Sequence, residues 1–271
     1  CNSNCPGVPT PRGIETLTPF THTFDTTWMA EPGVYQICTW TFLPNGNTDH
    51  ATWDDTTCLT FVVLDTLDMN GMPYCSDFDN TSTQNPWGSF SSNSYDTLSS
   101  FKWGIPNQTN IISNGTNSWM TGLANDYPVL DSSAIYSPMF DLDSSVCYKL
   151  SFDHNYNTEY AFDGGVVEYS IDSGETWVTI GDFEDSLSAE NWYNTPYVVG
   201  LTGAPNSPGF TGKSNGWRSA YHDIKFPDYG QDTMRVVFRF RFGSDGSWND
   251  EGWAIDNFCL DTGSVCKFVS C

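Results

Sequence analysis

Positive charge is scarce in this sequence: Lys and Arg total 10 against 33 Asp and Glu, a formal net charge of -23. So acidic a surface repels phosphate backbones and anionic headgroups, which sets nucleic acid aside as a partner and makes membrane surfaces unfavourable. Long apolar runs are missing too. With no stretch of about eighteen apolar residues, direct membrane insertion is not expected, and the first residues lack the basic-then-apolar pattern of a signal peptide, so the chain reads as a mature, soluble segment. The sequence has no HExxH, no GxSxG and no phosphate-cradling glycine loop, and its four histidines, His22, His50, His154 and His222, are scattered among different blocks. No enzymatic activity is therefore expected. Helical periodicity is nearly absent.

The nine cysteines form no CxxC pair and have no histidines at zinc-finger spacing. They read as disulfides, which places the chain in an oxidising compartment, extracellular or at the cell surface. The odd count leaves at least one thiol unpaired within the chain or joined to something outside it.

What is abundant points to an all-β fold. Aromatics make up 15% of residues and charged residues only 16%, with Ser, Thr, Asn, Gly and Asp filling much of the rest, the profile of short strands between polar turns. A length of 271 residues suggests two domains. After a Pro- and Gly-rich lead-in, the runs THTFDTTWMA, GVYQICTWTFL and TTCLTFVVLDT are strand-like and suit an immunoglobulin-like β-sandwich within residues 1–70. Cys38 and Cys58 fall on successive strand candidates, where a bridge either ties a hairpin or pins two sheets together.

From Gly71 the texture changes to a longer series of strands, giving a second domain over 71–262 and a cysteine-containing tail over 263–271. In MRVVFRFRF, Arg235, Arg239 and Arg241 share one face and the apolar residues mostly share the other, which predicts a half-solvated antiparallel strand. In DGGVVEYSIDSGETW, Asp172-Ser173-Gly174 supplies a hairpin turn closed by Trp177.

The ordered blocks YCSDFDN, IYSPMFDLDSS, CYKLSFDHNYNTEYAFDGGVVEYSIDSGETW, NWYN, GFTGKSNGW and FRFRFGSDGSWNDEGWAIDNF resemble the MAM-like jelly-roll modules of large secreted Bacteroidetes proteins. Similar modules accompany the immune inhibitor A class of secreted peptidases. The resemblance spans roughly residues 74 to 260 and implies a jelly-roll β-sandwich whose opening and final strands are neighbours. The preceding GVYQICTWTFLPNGNTDHATWDDT looks like the immunoglobulin-like, adhesion-type domains beside such modules.

Calcium is the expected cofactor, since it takes several oxygen ligands and carboxylates offset its charge. If the opening and final strands are neighbours, as the resemblance implies, Asp77 and Asp79 converge with Asp256. Asp163 either joins that site or forms another, and the DGSWNDE loop, with Asp245 and Asp250, has the composition of a cation-binding turn. The same adjacency would let Cys75 face Cys259, with Cys147 competing for either, while Cys266 and Cys271 enclose a short loop and are candidates to pair together. Thr66, Thr97, Ser186 and Thr233 sit in Asp-Ser/Thr-apolar triplets, the pattern Bacteroidetes O-glycosylate.

These features describe a non-catalytic structural or adhesive module of a large surface or secreted protein, with neighbouring modules or copies of itself as partners. Two rivals stand beside it. One is a carbohydrate-binding accessory module of a hydrolase or peptidase, with Trp192, Trp217 and Trp248 in loop-like surroundings as stacking candidates for glycans. The other is a subunit of an extracellular filament.

Overall fold

The computed structural model describes residues 27–40, 56–68, 73–79, 86–91, 99–115, 117–201, 207–227 and 232–263. Within them the chain is all-β. The strands in order are β1 (Gly33–Trp40), β2 (Thr56–Val63), β3 (Thr66–Asp68), β4 (Tyr74–Ser76), β5 (Gly88–Ser91), β6 (Phe101–Gly104), β7 (Ser118–Thr121) and β8 (Ser132–Tyr136). They continue with β9 (Met139–Asp143), β10 (Cys147–Asn157), β11 (Gly164–Ser170), β12 (Val178–Thr179), β13 (Ala189–Glu190), β14 (Arg218–Lys225), β15 (Thr233–Gly243) and β16 (Gly252–Thr262). Among the described residues no helix is long and apolar enough to cross a membrane.

Two compact units divide between Val63 and Leu64. In the first, β1 and β2 pair antiparallel with Cys38 opposite Cys58, and a disulfide joins them. The bridge thus ties a hairpin. Of the strand-like run THTFDTTWMA, residues 27–30 are described and form no strand, and the rest of that run lies outside the described residues. The second unit begins before Gly71, the expected boundary, because β3 already pairs in parallel with β9.

Among its described residues the second unit contains two seven-stranded sheets. One runs β13-β14-β10-β16-β7-β6, with β4 also pairing with β16. The other runs β12-β11-β15-β8-β5, with β9 pairing with β15 and β3 with β9. Strand β4, which opens the block YCSDFDN, lies against the final strand β16, with Cys75 directly opposite Cys259 and disulfide-bonded to it. Cys147 is also disulfide-bonded, whereas Cys266 and Cys271 lie outside the described residues.

Rings from the two sheets interlock to form the core. Phe152 on β10 meets Phe240 on β15 at 4.9 Å between centroids, and Phe240 reaches Trp253 and Phe258 on β16 at 5.8 and 6.1 Å. Burying each such side chain contributes roughly 1.5–3 kcal/mol. Trp253 lies so close over Gly165 that a Cβ there would overlap its ring. The Asp172-Ser173-Gly174 turn forms as its sequence indicates: Ser173 and Gly174 take φ of 62° and 91°, and Trp177 Nε1 donates to the Gly174 carbonyl at 3.1 Å.

The expectation for β15 needs correction. Its alternation is as read, but the arginine face is not evenly solvated: Arg241 is buried, and Arg239 and Arg241 both bond Glu168 on β11, at 2.6 and 3.0 Å. Arg239 also stacks over Trp177 at 3.9 Å. The apolar sequence around Glu168 hides the acid that draws these cations inward.

Candidate metal centre

Loop 158–163, which follows β10, and loop 244–251, which joins β15 to β16, meet at one end of the second unit. There Glu159, Asp163 and Asp245 bring a carboxylate oxygen each to within 4.8 Å of one another. Two oxygens on opposite sides of one calcium lie at most about 4.8 Å apart, twice the usual bond length, so the spacing of the three is of the order that one ion requires. The loops are fastened through the central acid. Asp163 is 0% exposed; its Oδ1 accepts from the Asp245 backbone N–H at 2.8 Å and its Oδ2 from the Tyr127 hydroxyl at 2.7 Å.

The electrostatics of this trio favour a cation. Burial, with the charges of Asp245 and Glu159 adding to it, pushes the Asp163 carboxyl up to about 6 despite its hydrogen bonds. Burial also raises the Tyr127 hydroxyl, which keeps it a donor to that carboxylate. Glu159 Oε2 is buried without a hydrogen-bond partner, an arrangement that carries the desolvation cost of an acceptor.

The other expected ligands are placed differently. Asp256 is buried on β16, beside a bulge where the β10 register shifts between Ser151 and Asp153 and Asn257 takes φ 49°. Burial raises its carboxyl to about 7, with the charges of Asp79, Asp153 and Asp77 contributing. These acids are neighbours, as expected, yet it is the Glu159 trio, not Asp77, Asp79 and Asp256, whose oxygens come within 4.8 Å of one another. The reason is local: Asp79 Oδ1 accepts from the Asn117 backbone N–H at 2.7 Å, and Asp77 Oδ1 from the Asp79 N–H at 3.2 Å. Asp250 stands outside the trio, its Oδ1 bonded to Asn157 Nδ2 at 2.7 Å. Asp163 groups with Asp245, and Glu159 is the member that sequence reasoning passed over, although it sits four residues from Asp163 in the same loop.

Of the three tryptophans offered as stacking candidates, one is buried and one half-buried. Trp192 is buried against Phe152, Phe210 and His222 and donates to the Ile180 carbonyl at 2.9 Å. Trp217 is half-buried, and its Nε1 donates to the Ile112 carbonyl at 2.7 Å. A flanking loop looks polar in sequence even when its aromatic turns inward. Trp248 alone of the three is open, at 80% exposure. Thr66, Ser186 and Thr233 are exposed, and Thr97 lies outside the described residues.

Comparison with solved structures returns chains of low identity. A cleaved adhesin domain of Lys-gingipain from Porphyromonas gingivalis is 15% identical over 72% of this chain and 100% of that one, with a TM-score of 0.38. A xylan-binding domain from Paenibacillus barcinonensis is 11% identical over 70% of this chain and 99% of that one, with a TM-score of 0.36. No protein-family model and no curated protein matches the chain.

Proposed function

We propose that the chain is a non-catalytic, extracellular adhesive module of a larger surface or secreted protein, with the loop end of its second unit pinned by calcium. The observation that carries this reading is the meeting of Glu159, Asp163 and Asp245 within the reach of one ion, with a buried glutamate oxygen left unpartnered. Calcium suits a ligand set made of oxygen alone, and it would tie the loop after β10 to the loop before β16. Kinship with MAM-like modules belongs to the same proposal, and the adjacency of β4 and β16 supports it.

The disulfides Cys38–Cys58 and Cys75–Cys259 support an oxidising, extracellular setting. The pairing of His222 with Asp185 supports a structural role over catalysis: the ring is buried, and Ser188 Oγ donates to Asp185 at 2.6 Å instead of to the imidazole. The partners proposed are neighbouring modules of the parent protein or further copies of it.

Thermal unfolding of the full chain in EDTA and in calcium tests the cation. Calcium at a hundredfold excess over its dissociation constant is expected to add about 2.7 kcal/mol of stability. A melting temperature identical in the two conditions rejects the calcium part.

A further inference from the structure

The loops that bring the trio together also hold large apolar side chains in solvent. Trp248 is 80% exposed, Leu130 69% and Tyr160 64%, with Phe162 and Tyr197 exposed beside them. Main-chain bonds gather the loops: the Leu130 N–H donates to the Asp245 carbonyl at 2.6 Å, Val199 N–H to Ala161 at 3.0 Å, and Gly200 N–H to Phe162 at 2.7 Å. In sequence, Tyr160 follows Glu159, Phe162 precedes Asp163, and Trp248 lies three residues beyond Asp245.

The backbone at these positions is unusual. Trp248, Leu130 and Ala161 take φ of 36°, 56° and 66°, the left-handed region that disfavours side chains larger than glycine. A buried residue held this way recovers the cost through packing, as Phe78 does with φ 55° inside the core. Trp248 and Leu130 have little such packing. Strain and apolar exposure coincide there without internal compensation, the mark of a surface shaped for something outside the chain.

The chemistry of the surroundings selects the occupant. Flat aromatic faces suit ring C–H groups. Acceptors lie in the same loops: Glu159, Asp245 and Asp250 are half-buried carboxylates, and Asp250 also fastens the Trp248 loop to Asn157 Nδ2 at 2.7 Å. A chain of net charge -23 disfavours anionic ligands. A neutral pyranose offers an apolar face, several hydroxyl donors and no charge.

The geometry points to an uncharged carbohydrate bound at this loop end, one sugar ring stacked on Trp248 and its hydroxyls donating to the half-buried carboxylates of the same loops. The assignment rests on the adhesive reading of the module and adds a glycan ligand to the protein partners proposed for it.

Native gels cast with soluble xylan, galactan, mannan or β-glucan, and with polygalacturonate as an anionic probe, test it on the full chain in saturating calcium. At least one neutral polysaccharide is expected to retard the protein. Trp248→Gly is expected to weaken that binding about tenfold, the loss of one good stacking contact, without lowering the melting temperature, because glycine suits the left-handed backbone and an exposed side chain leaves no cavity. Migration unaffected by every neutral polysaccharide overturns the assignment, as does retardation by polygalacturonate alone. So does binding that stays within twofold of the parent in a Trp248→Gly/Tyr160→Ala double variant. Melting in EDTA decides the cation reading and the gels decide this one, so the two failures are separable.

Discussion

Asp245 donates its backbone N–H to Oδ1 of Asp163 across 2.8 Å, joining two loops at a carboxylate that is itself raised to about 6. An acid whose folded pKa exceeds its unfolded value stabilises the fold below the unfolded pKa and loses that contribution as pH climbs through the folded one. Asp256, raised to about 7, acts in the same direction. In EDTA the melting temperature is therefore expected to fall between about pH 4 and pH 7, whereas saturating calcium, which binds the ionised acids, flattens or reverses the decline. Calorimetry across that range in both conditions checks it, and a flat EDTA profile contradicts the placement of these two groups.

Asp163→Asn separates charge from hydrogen bonding. The amide oxygen still accepts from the Asp245 N–H, but a negative charge is removed from among Glu159 and Asp245. At pH 8 the variant is expected to melt higher than the parent in EDTA and to gain less from calcium, with a crossover worth on the order of 2 kcal/mol. Paired melting curves show it directly; equal calcium gains in both proteins would remove Asp163 from the site.

The all-β class and the β4–β16 adjacency were legible because they rest on strand composition and on ordered blocks. The 172–174 turn was legible because Gly174 and Ser173 carry a local conformational signal that needs no tertiary context. Burial was harder to read. Trp192 and Trp217 sit in loops rich in Asn, Ser and Gly, yet tertiary packing draws Trp192 fully inward and Trp217 partly so, while Trp248 in a similar loop stays out. The carboxylate grouping was legible only in part, since Asp163 and Asp245 lie far apart in sequence and meet through a backbone bond that no spacing rule encodes. The Arg239–Glu168–Arg241 group failed for the same reason: alternation tells which face a residue takes but not what covers that face.

Gly165→Ala is expected to destabilise the second unit by about 1–3 kcal/mol, the usual cost of overpacking. A methyl at that position would meet the Trp253 ring, which packs on Phe240 at the centre of the core and has no free space to retreat into. Gly246→Ala makes the control, because the atom its Cβ would approach most closely is Leu130 Cδ2 at 3.6 Å. Urea midpoints should drop for the first variant and stay within about 0.5 kcal/mol for the second; equal midpoints would contradict the Gly165–Trp253 contact.

The buried ion group offers the last test. Burial pushes the Glu168 carboxyl up, but the hydrogen bond and charge of Arg241, followed by those of Arg239, outweigh it and hold the group below its ordinary value. Its contribution is present above the unfolded pKa and disappears as pH falls through the folded one, so it weakens only in acid. Glu168→Ala leaves Arg241 buried with its guanidinium charge uncompensated, and a cost of about 3–5 kcal/mol is expected at neutral pH. Removing the Arg241 cation as well, in Glu168→Leu/Arg241→Met, should restore part of that loss, since the desolvation of Arg241 is avoided while Arg239 still loses the carboxylate it bonds at 2.6 Å. Arg239 keeps its stack on Trp177 in either case. Denaturant titration of Glu168→Leu, Arg241→Met and the double variant yields the coupling directly: strongly non-additive losses match a buried pair, and additive ones would contradict it.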